Sequence, residues 1–420
     1  MAASKGLLKQ NWLSRVEEYG LIHHICFGAG ATERLGEIAK GIASNRNAII
    51  VTDKVLVDLG VIDTAKKSLK EAGFVIDVCG SEGVEPVIEE VSRVIDVVRA
   101  KDYGLVVGIG GGSAMDRAKA AAAMAETPGD LEEYLVPSEK PLEGSLPKIL
   151  LPTTSGTGSE CSSAIVVIVP HAEQKAVKTF ILSDMLFADV AVVDPTLVKG
   201  CPPRVTAGSG MDALAHTAEG VICLHANPFS DALALKAVEL VSKNLKAAVK
   251  DGSNLEARAN MSWAASMGGM VCTFPWIGGP ATLAHIGSES ISAKYGFPHG
   301  ESCGLLLPFT YWFNLPDAYA RGKMALIAQA MGEDIAGLTS KAAAEKAITA
   351  TFSLLEEVGL PTSLKEYNIP RSDLHSLAQF VLDRAENVYG VADFNPVGVN
   401  FNNITEFFQK AYEGRAAIGL

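Results

Sequence analysis

Short apolar runs alternate with helical patterns through the first half of the chain. Leu21–Phe27, Asn47–Val51, Phe74–Val78, Gly104–Gly108 and Lys148–Leu151 read as strands. Between them, Ala31–Ile42, Ile62–Ala72 and Pro86–Ala100 carry apolar residues three and four apart, the period of a helix. Strand–helix alternation of this length predicts a parallel sheet covered on both faces. Ala188–Val193 adds one more β-rich run before Asp194-Pro195, and the Pro/Gly-rich stretch Glu126–Pro147 reads as a surface loop.

After Pro203 the pattern becomes almost wholly helical. Ser230–Lys250 begins with a capping Ser, keeps the helical period and ends at Asp251-Gly252. Glu256–Gly269, Met324–Met331, Ser340–Gly359 and Asn403–Tyr412 continue it. The expected organisation is therefore an α/β domain over residues 1–197 and an all-α domain over 198–420.

Composition narrows the class. With 420 residues, two domains are the default, and 48% hydrophobic with 20% charged residues describes a well-buried globular protein. A net charge of −12 argues against nucleic acid or an anionic membrane as partner. No apolar run reaches membrane-spanning length uninterrupted, and the N-terminus lacks the apolar core of a signal peptide. Seven scattered cysteines, Cys26, Cys79, Cys161, Cys201, Cys223, Cys272 and Cys303, with no Cys-x-x-Cys spacing, read as reduced thiols of a cytoplasmic protein and as small core residues.

Two glycine- and hydroxyl-rich turns are candidates for phosphate binding. Gly110, Gly111, Gly112 and Ser113 join a buried strand to the helix Ala114–Met124. Bare backbone there lets N–H groups approach a pyrophosphate at a positive helix end, although a tight strand–helix turn uses the same residues. Asp53, at the end of the Asn47–Val51 strand, is the natural acceptor for an adenosine ribose, and it precedes the glycine loop instead of following it. Thr153, Thr154 and Thr157 lie in a second turn after Lys148–Leu151.

Candidate metal donors cluster between Thr206 and Ser302. Asp212 and His216 stand four apart, on one face of a helix, a spacing shared by surface hydrogen-bonded pairs. His285 and His299 add two imidazoles. One carboxylate with three imidazoles suits divalent iron or zinc and can leave a position open for a substrate oxygen.

Several motifs, each weak alone, agree in order and spacing. Ile50-Val-Thr-Asp-Lys54, Gly110-Gly-Gly-Ser-Ala-Met-Asp-Arg-Ala-Lys119, Pro152-Thr-Thr-Ser-Gly-Thr157, Val193-Asp-Pro195, Gly210-Met-Asp-Ala-Leu-Ala-His216 and Pro298-His-Gly300 together resemble the iron-containing (group III) alcohol dehydrogenases from about Ile22 onward. The resemblance implies an α/β nucleotide-binding domain, an all-helical domain and a metal in the cleft between them, the architecture shared with dehydroquinate synthase. It implies Asp212, His216, His285 and His299 as ligands of iron, or of zinc. It places Asp53 at the ribose of NAD(H), Gly110 to Ser113 at the pyrophosphate, and Asp116, Thr153, Thr154, Thr157 and Lys178 along the rest of the cofactor. It also implies a small alcohol or aldehyde as substrate and a homo-oligomer of two or more chains.

Three departures stand out. The family commonly repeats a histidine four residues after the third ligand, where it is associated with relaying the alcohol proton; this chain has Glu289. Glu289 is therefore the candidate catalytic residue, either as proton relay or as a partner orienting a ligand imidazole. Glu85-Pro86 stands where Asn-Pro is usual, and Asn395-Pro-Val397 replaces Asn-Pro-Arg. Phe274 and Trp276 are candidates for the pocket wall. The expected reaction is reversible hydride transfer between nicotinamide and a small alcohol or aldehyde. The alternative is a lyase or cyclase of the dehydroquinate-synthase type, disfavoured because Lys294 is the only cation between His285 and Ser302.

Overall fold

The computed structural model describes residues 19–83, 85–171, 175–273, 282–387 and 394–420. The candidate wall residues Phe274 and Trp276 lie outside the described residues. The chain divides into two compact units, Gly20–Cys201 with Gly252–Ser262, and Tyr19 with Pro202–Asp251 and Trp263–Leu420.

The first unit is built on a six-stranded sheet. Its strands are β1 (Ile25–Phe27), β2 (Asn47–Asp53), β3 (Val75–Ser81), β4 (Leu105–Gly110), β5 (Lys148–Pro152) and, after a hairpin of β6 (Ala164–His171) and β7 (Lys175–Leu182), β8 (Val190–Val193). The spatial order is β1-β8-β5-β4-β2-β3, every pair is parallel, and β6–β7 form a separate antiparallel pair. Helices α1 (Leu35–Ile42), α2 (Lys54–Asp58), α3 (Asp63–Glu71), α4 (Ile88–Arg99) and α5 (Gly112–Ala125) connect the strands.

Both sheet faces are buried, so the strands are continuous apolar runs. Ile49, Val51, Val106 and Leu150 face one core with Val91, Val94 and Met115. Ala48, Ile50, Leu105, Val107 and Leu151 face the other with Leu35, Ala39 and Leu69. Alternate residues of one strand thus enter opposite cores, as the pleat requires. Helix α5 is alanine-rich because it is enclosed all round, with every residue from Ala114 to Met124 buried. The hairpin was not legible in the apolar pattern, since β6 and β7 mix buried and half-buried positions. The presumed surface loop also anchors inward, through buried Leu131 and Tyr134.

The second unit is helical, with α6 (Pro203–Ile222), α7 (Pro228–Lys250), α8 (Leu255–Cys272), which begins in the first unit, α9 (Leu283–Tyr295), α10 (His299–Asn314), α11 (Ala318–Ala330), α12 (Ser340–Glu357), α13 (Leu374–Asn387) and α14 (Phe401–Glu413). The cap of α7 is Asn227, not the expected Ser230. Asn227 accepts from Phe229 N and Ser230 N, while Ser230 Oγ accepts from Asn227 N at 3.0 Å. Ser230 is the third helical residue of a reciprocal capping box, a role the same Ser–polar pattern supports.

Helices α6 and α10 are buried along nearly their whole length. Their close approach is made by glycine. A Cβ on Gly300 would lie 2.3 Å from the Gly208 carbonyl oxygen and 2.9 Å from Asp212 Cβ, and one on Gly304 would lie 2.6 Å from Met211 Cβ. Any side chain at these two positions would push α10 off α6.

Candidate functional site

Three helices bring the candidate donors together. Asp212 and His216 lie on α6, His285 in the first turn of α9, and His299 at the start of α10. Asp212 Oδ1 lies 3.9 Å from His285 Nε2 and 3.8 Å from His299 Nε2, and Asp212 Oδ2 lies 4.0 Å from His216 Nδ1. The His216 and His285 rings stack with centroids 4.4 Å apart. Asp212 and His285 are buried, while the His299 side chain keeps 27% of its surface accessible, leaving one open flank.

This arrangement fits a divalent cation. Asp212 Oδ1 and His285 Nε2 are buried and have no hydrogen-bond partner, a costly pairing unless an ion joins them. Bonds of about 2.0–2.2 Å from oxygen and nitrogen put ligands of one ion ~3–4 Å apart.

The imidazoles are held from behind. Glu219, fully buried on α6, receives Thr282 Oγ1, Ala284 N at 2.8 Å, His285 N at 3.3 Å and His285 Nδ1. One carboxylate therefore caps α9, whose own Thr282 makes no side-chain cap, and turns His285 Nε2 toward Asp212. Ser288 Oγ lies 2.9 Å from His299 Nδ1 and does the same for that ring. Burial opposes a positive charge on His285, yet the Cys303 sulfur and the Glu219 carboxylate carry its pKa well above the ordinary value. The same negative surroundings favour a metal cation.

Sequence reasoning missed Glu219, although Asp212, His216 and Glu219 share one helical face at i, i+4 and i+7. It also read Cys303 as core. The structure puts Cys303 Sγ 3.6 Å from His299 Nε2, in one group with Asp212 and His285 whose donor atoms lie within 4.8 Å of one another. Glu289 is buried one turn after His285 and lies 3.4 Å from Arg384 Nη2 on α13. The orienting contacts on the two ring Nδ1 atoms belong to Glu219 and Ser288.

In the α/β unit the candidate nucleotide residues converge at strand ends. β2 and β4 are neighbours in the sheet, which puts Asp53 beside Gly110; a Cβ on Gly110 would lie 3.4 Å from Asp53 Oδ2. Gly110 has φ +155°, and its carbonyl oxygen accepts from Thr153 N at 2.9 Å. Thr154 and Thr157 stand against Gly111 and Gly112, at the N-terminus of α5 with Ser113. Asp53 is ion-paired with Arg117, a fully buried residue of α5. Burial pushes the Asp53 carboxyl up and Arg117 draws it back. Asp116 accepts from Ser159 Oγ at 2.6 Å and Val166 N at 2.9 Å, so it ties α5 to the hydroxyl-rich turn. Lys178 lies on β7 opposite Ile168.

One unit thus carries a strand-end glycine turn and the other a buried cluster of potential metal donors. Residues 23–195 match the family described as iron-containing alcohol dehydrogenase, and residues 206–412 match the Fe-containing alcohol dehydrogenase family, C-terminal. The chain is 35% identical to 1,3-propanediol dehydrogenase of Klebsiella pneumoniae over 92% of its length and 96% of the relative's. It is 33% identical to the NAD-dependent methanol dehydrogenase of Bacillus methanolicus, over 84% and 90%. A crystal structure of 1,3-propanediol oxidoreductase superposes with a TM-score of 0.86 at 33% identity, covering 95% of this chain and all of that one. The chain belongs to the iron-containing alcohol dehydrogenase family. It is an NAD-dependent alcohol/aldehyde oxidoreductase, which displaces the lyase alternative. Among the described residues no helix is long and apolar enough to cross a membrane.

Proposed function

We propose that Asp212, His216, His285 and His299 hold one divalent metal, iron or zinc, and that Asp53, the Gly110–Ser113 loop and Thr153, Thr154 and Thr157 hold NAD(H). The observation that carries the metal reading is the buried, partnerless pair of Asp212 Oδ1 and His285 Nε2 at 3.9 Å. When bound, the metal supplies Lewis acidity toward the oxygen of a small alcohol or aldehyde. Glu219 and Ser288 fix the tautomers of His285 and His299, each presenting Nε2 inward. The accessible flank at His299 is where the substrate oxygen enters.

Main-chain N–H groups of Gly111 to Ser113 face the pyrophosphate at the positive end of α5. Asp53 accepts the ribose hydroxyls through Oδ2, its Oδ1 being engaged by Arg117. Asp116 serves the cofactor by holding Ser159 and the turn that carries Thr157, and Lys178 extends the polar lining from the hairpin. Glu289, buried and ion-paired with Arg384, is the residue to which this reading assigns acceptance and return of the alcohol proton, in place of a histidine.

The protein works as a homo-oligomer of two or more chains in the cytoplasm, a reading supported for the compartment by seven cysteines without a disulfide. The test is a panel of alcohols and aldehydes assayed with both nicotinamide cofactors, beside elemental analysis. One equivalent of iron or zinc per chain with aldehyde-dependent NADH oxidation supports the assignment. Activity independent of metal content refutes it.

A further inference from the structure

The geometry points to a sulfur donor in the metal centre: we propose that Cys303 Sγ is a further ligand of the divalent cation, beside Asp212, His216, His285 and His299. This rests on the reading of those four residues as ligands. Cys303 stands four residues after His299, so both side chains leave α10 on one face. Gly300 and Gly304 flank that face and let it lie against Asp212 and Met211. Cys303 is fully buried, and its sulfur is 3.6 Å from His299 Nε2. A metal–sulfur bond of about 2.3 Å and a metal–nitrogen bond of about 2.05 Å, opened by the ~110° typical of adjacent ligands, set sulfur and nitrogen ~3.5 Å apart. The observed separation is the one such bonds require.

Two independent observations aim at the same point. Asp212 Oδ1 and His285 Nε2 are buried and partnerless, and both belong with Cys303 Sγ and His299 to a single group spanning 4.8 Å. Among the donors themselves, one carboxylate and one thiolate match the charge of a divalent cation, and the thiol proton leaves to solvent as the metal–sulfur bond forms. A soft donor in an otherwise nitrogen–oxygen set raises affinity for zinc, cobalt and ferrous iron over manganese and magnesium. Cys303 is thereby a determinant of which metal this chain retains.

The test uses cobalt in the full-length protein. After chelation and reloading with Co2+, the wild type is expected to show a near-ultraviolet thiolate-to-cobalt charge-transfer band that rises with bound cobalt to one equivalent. Cys303→Ser keeps the cobalt and the weaker visible bands but loses the charge-transfer band. Its zinc affinity falls roughly tenfold or more, while its manganese affinity stays within about twofold. Cys272 supplies the control, because it is a half-buried thiol interacting electrostatically with His285, Asp212 and Cys303. Cys272→Ser should retain the band. A wild-type cobalt protein with visible bands alone overturns the proposal without need of any variant, as does a band lost in Cys272→Ser and kept in Cys303→Ser. Failure of the wild type to take up cobalt overturns the underlying ligand set, and the sulfur donor with it.

Discussion

At the strand ends of the α/β unit, the candidate contacts are main-chain groups and short hydroxyls from Gly110–Ser113 and Thr153–Thr157, with Asp53 supplied by the neighbouring strand. In the helical unit the donors are side chains from α6, α9 and α10, spread between Asp212 and Cys303, with His285 and His299 each held by a further buried residue. The first kind of site is written locally, because glycine and threonine in a strand–helix turn already dictate it. The second exists only after three helices pack. Substitutions should therefore act gently on the first and sharply on the second.

The largest effect is expected at a ligand. His299→Ala should strip the metal and lower turnover by about three orders of magnitude or more, since several kcal/mol of charge stabilisation disappear. The helical circular-dichroism signal should be unchanged. Stoichiometric metal with near-normal turnover in this variant would contradict the ligand assignment.

Next comes the residue behind the ligand. Glu219→Gln keeps the shape but weakens the hold on His285 Nδ1 and on the α9 N-terminus. Metal affinity should drop roughly 10–100-fold, read by competition with a chromogenic chelator. An unaltered affinity would mean that Glu219 serves only to cap the helix.

Cofactor choice should respond more mildly. A carboxylate at Asp53 repels a 2′-phosphate, so the wild type should prefer NAD(H), and Asp53→Gly should narrow the preference by about tenfold or more in kcat/KM. Arg117 lies within the same ion pair and sets how much repulsion remains. A wild type equally efficient with both cofactors would remove Asp53 from the ribose.

Glu289→Gln sharpens the comparison from the side of chemistry. As a proton-transfer group its loss should lower turnover about tenfold, or ~1.4 kcal/mol of barrier, and flatten the pH–rate profile at constant metal content. Metal lost instead would make Glu289 a support for the ligands, and unchanged kinetics would assign it neither role.

The smallest effect is on stability and lies away from both sites. Burial lowers the Lys148 pKa from 10.5 to about 8. Between those values the unfolded chain binds more protons than the folded one, so stability rises with pH across that window. The penalty is fully present below pH 8 and vanishes above the unfolded value. It is on the order of 3 kcal/mol at most, from about 1.4 kcal/mol per pKa unit. Lys148→Met, which also gives up a 2.8 Å contact to Ser145 Oγ, should gain about 1–2 kcal/mol at pH 7, less near pH 10.5, by urea denaturation. A gain that does not shrink with pH would show that charge burial is not its cause.

The same contrast explains what could be read before any coordinates. The sheet was legible because strands buried on both faces are unbroken apolar runs, and Asn47–Asp53 and Leu105–Gly110 are such runs. The β6–β7 hairpin was not, because buried Ile165 and Val167 alternate with half-buried residues that are equally apolar, so burial leaves no polar–apolar alternation in the sequence. The Ser230 cap was misplaced since Asn227-Pro228 offers a stronger start, with Pro in the first turn. His216, His285 and His299 stood out as a rare residue type against an apolar background, and Asp212 by standing four residues before His216. Glu219 and Cys303 did not, because a glutamate and a cysteine in a helix are ordinary until α9 and α10 are seen packed on α6. Gly300 and Gly304 hint at that packing only once their neighbours are known.

The most direct measurement of the central claim is anomalous diffraction from crystals of the purified protein at the absorption edge of its metal. The account predicts one peak per chain, within bonding distance of Asp212, His216, His285 and His299. A peak elsewhere, or metal-replete protein with no peak among these four residues, would contradict it.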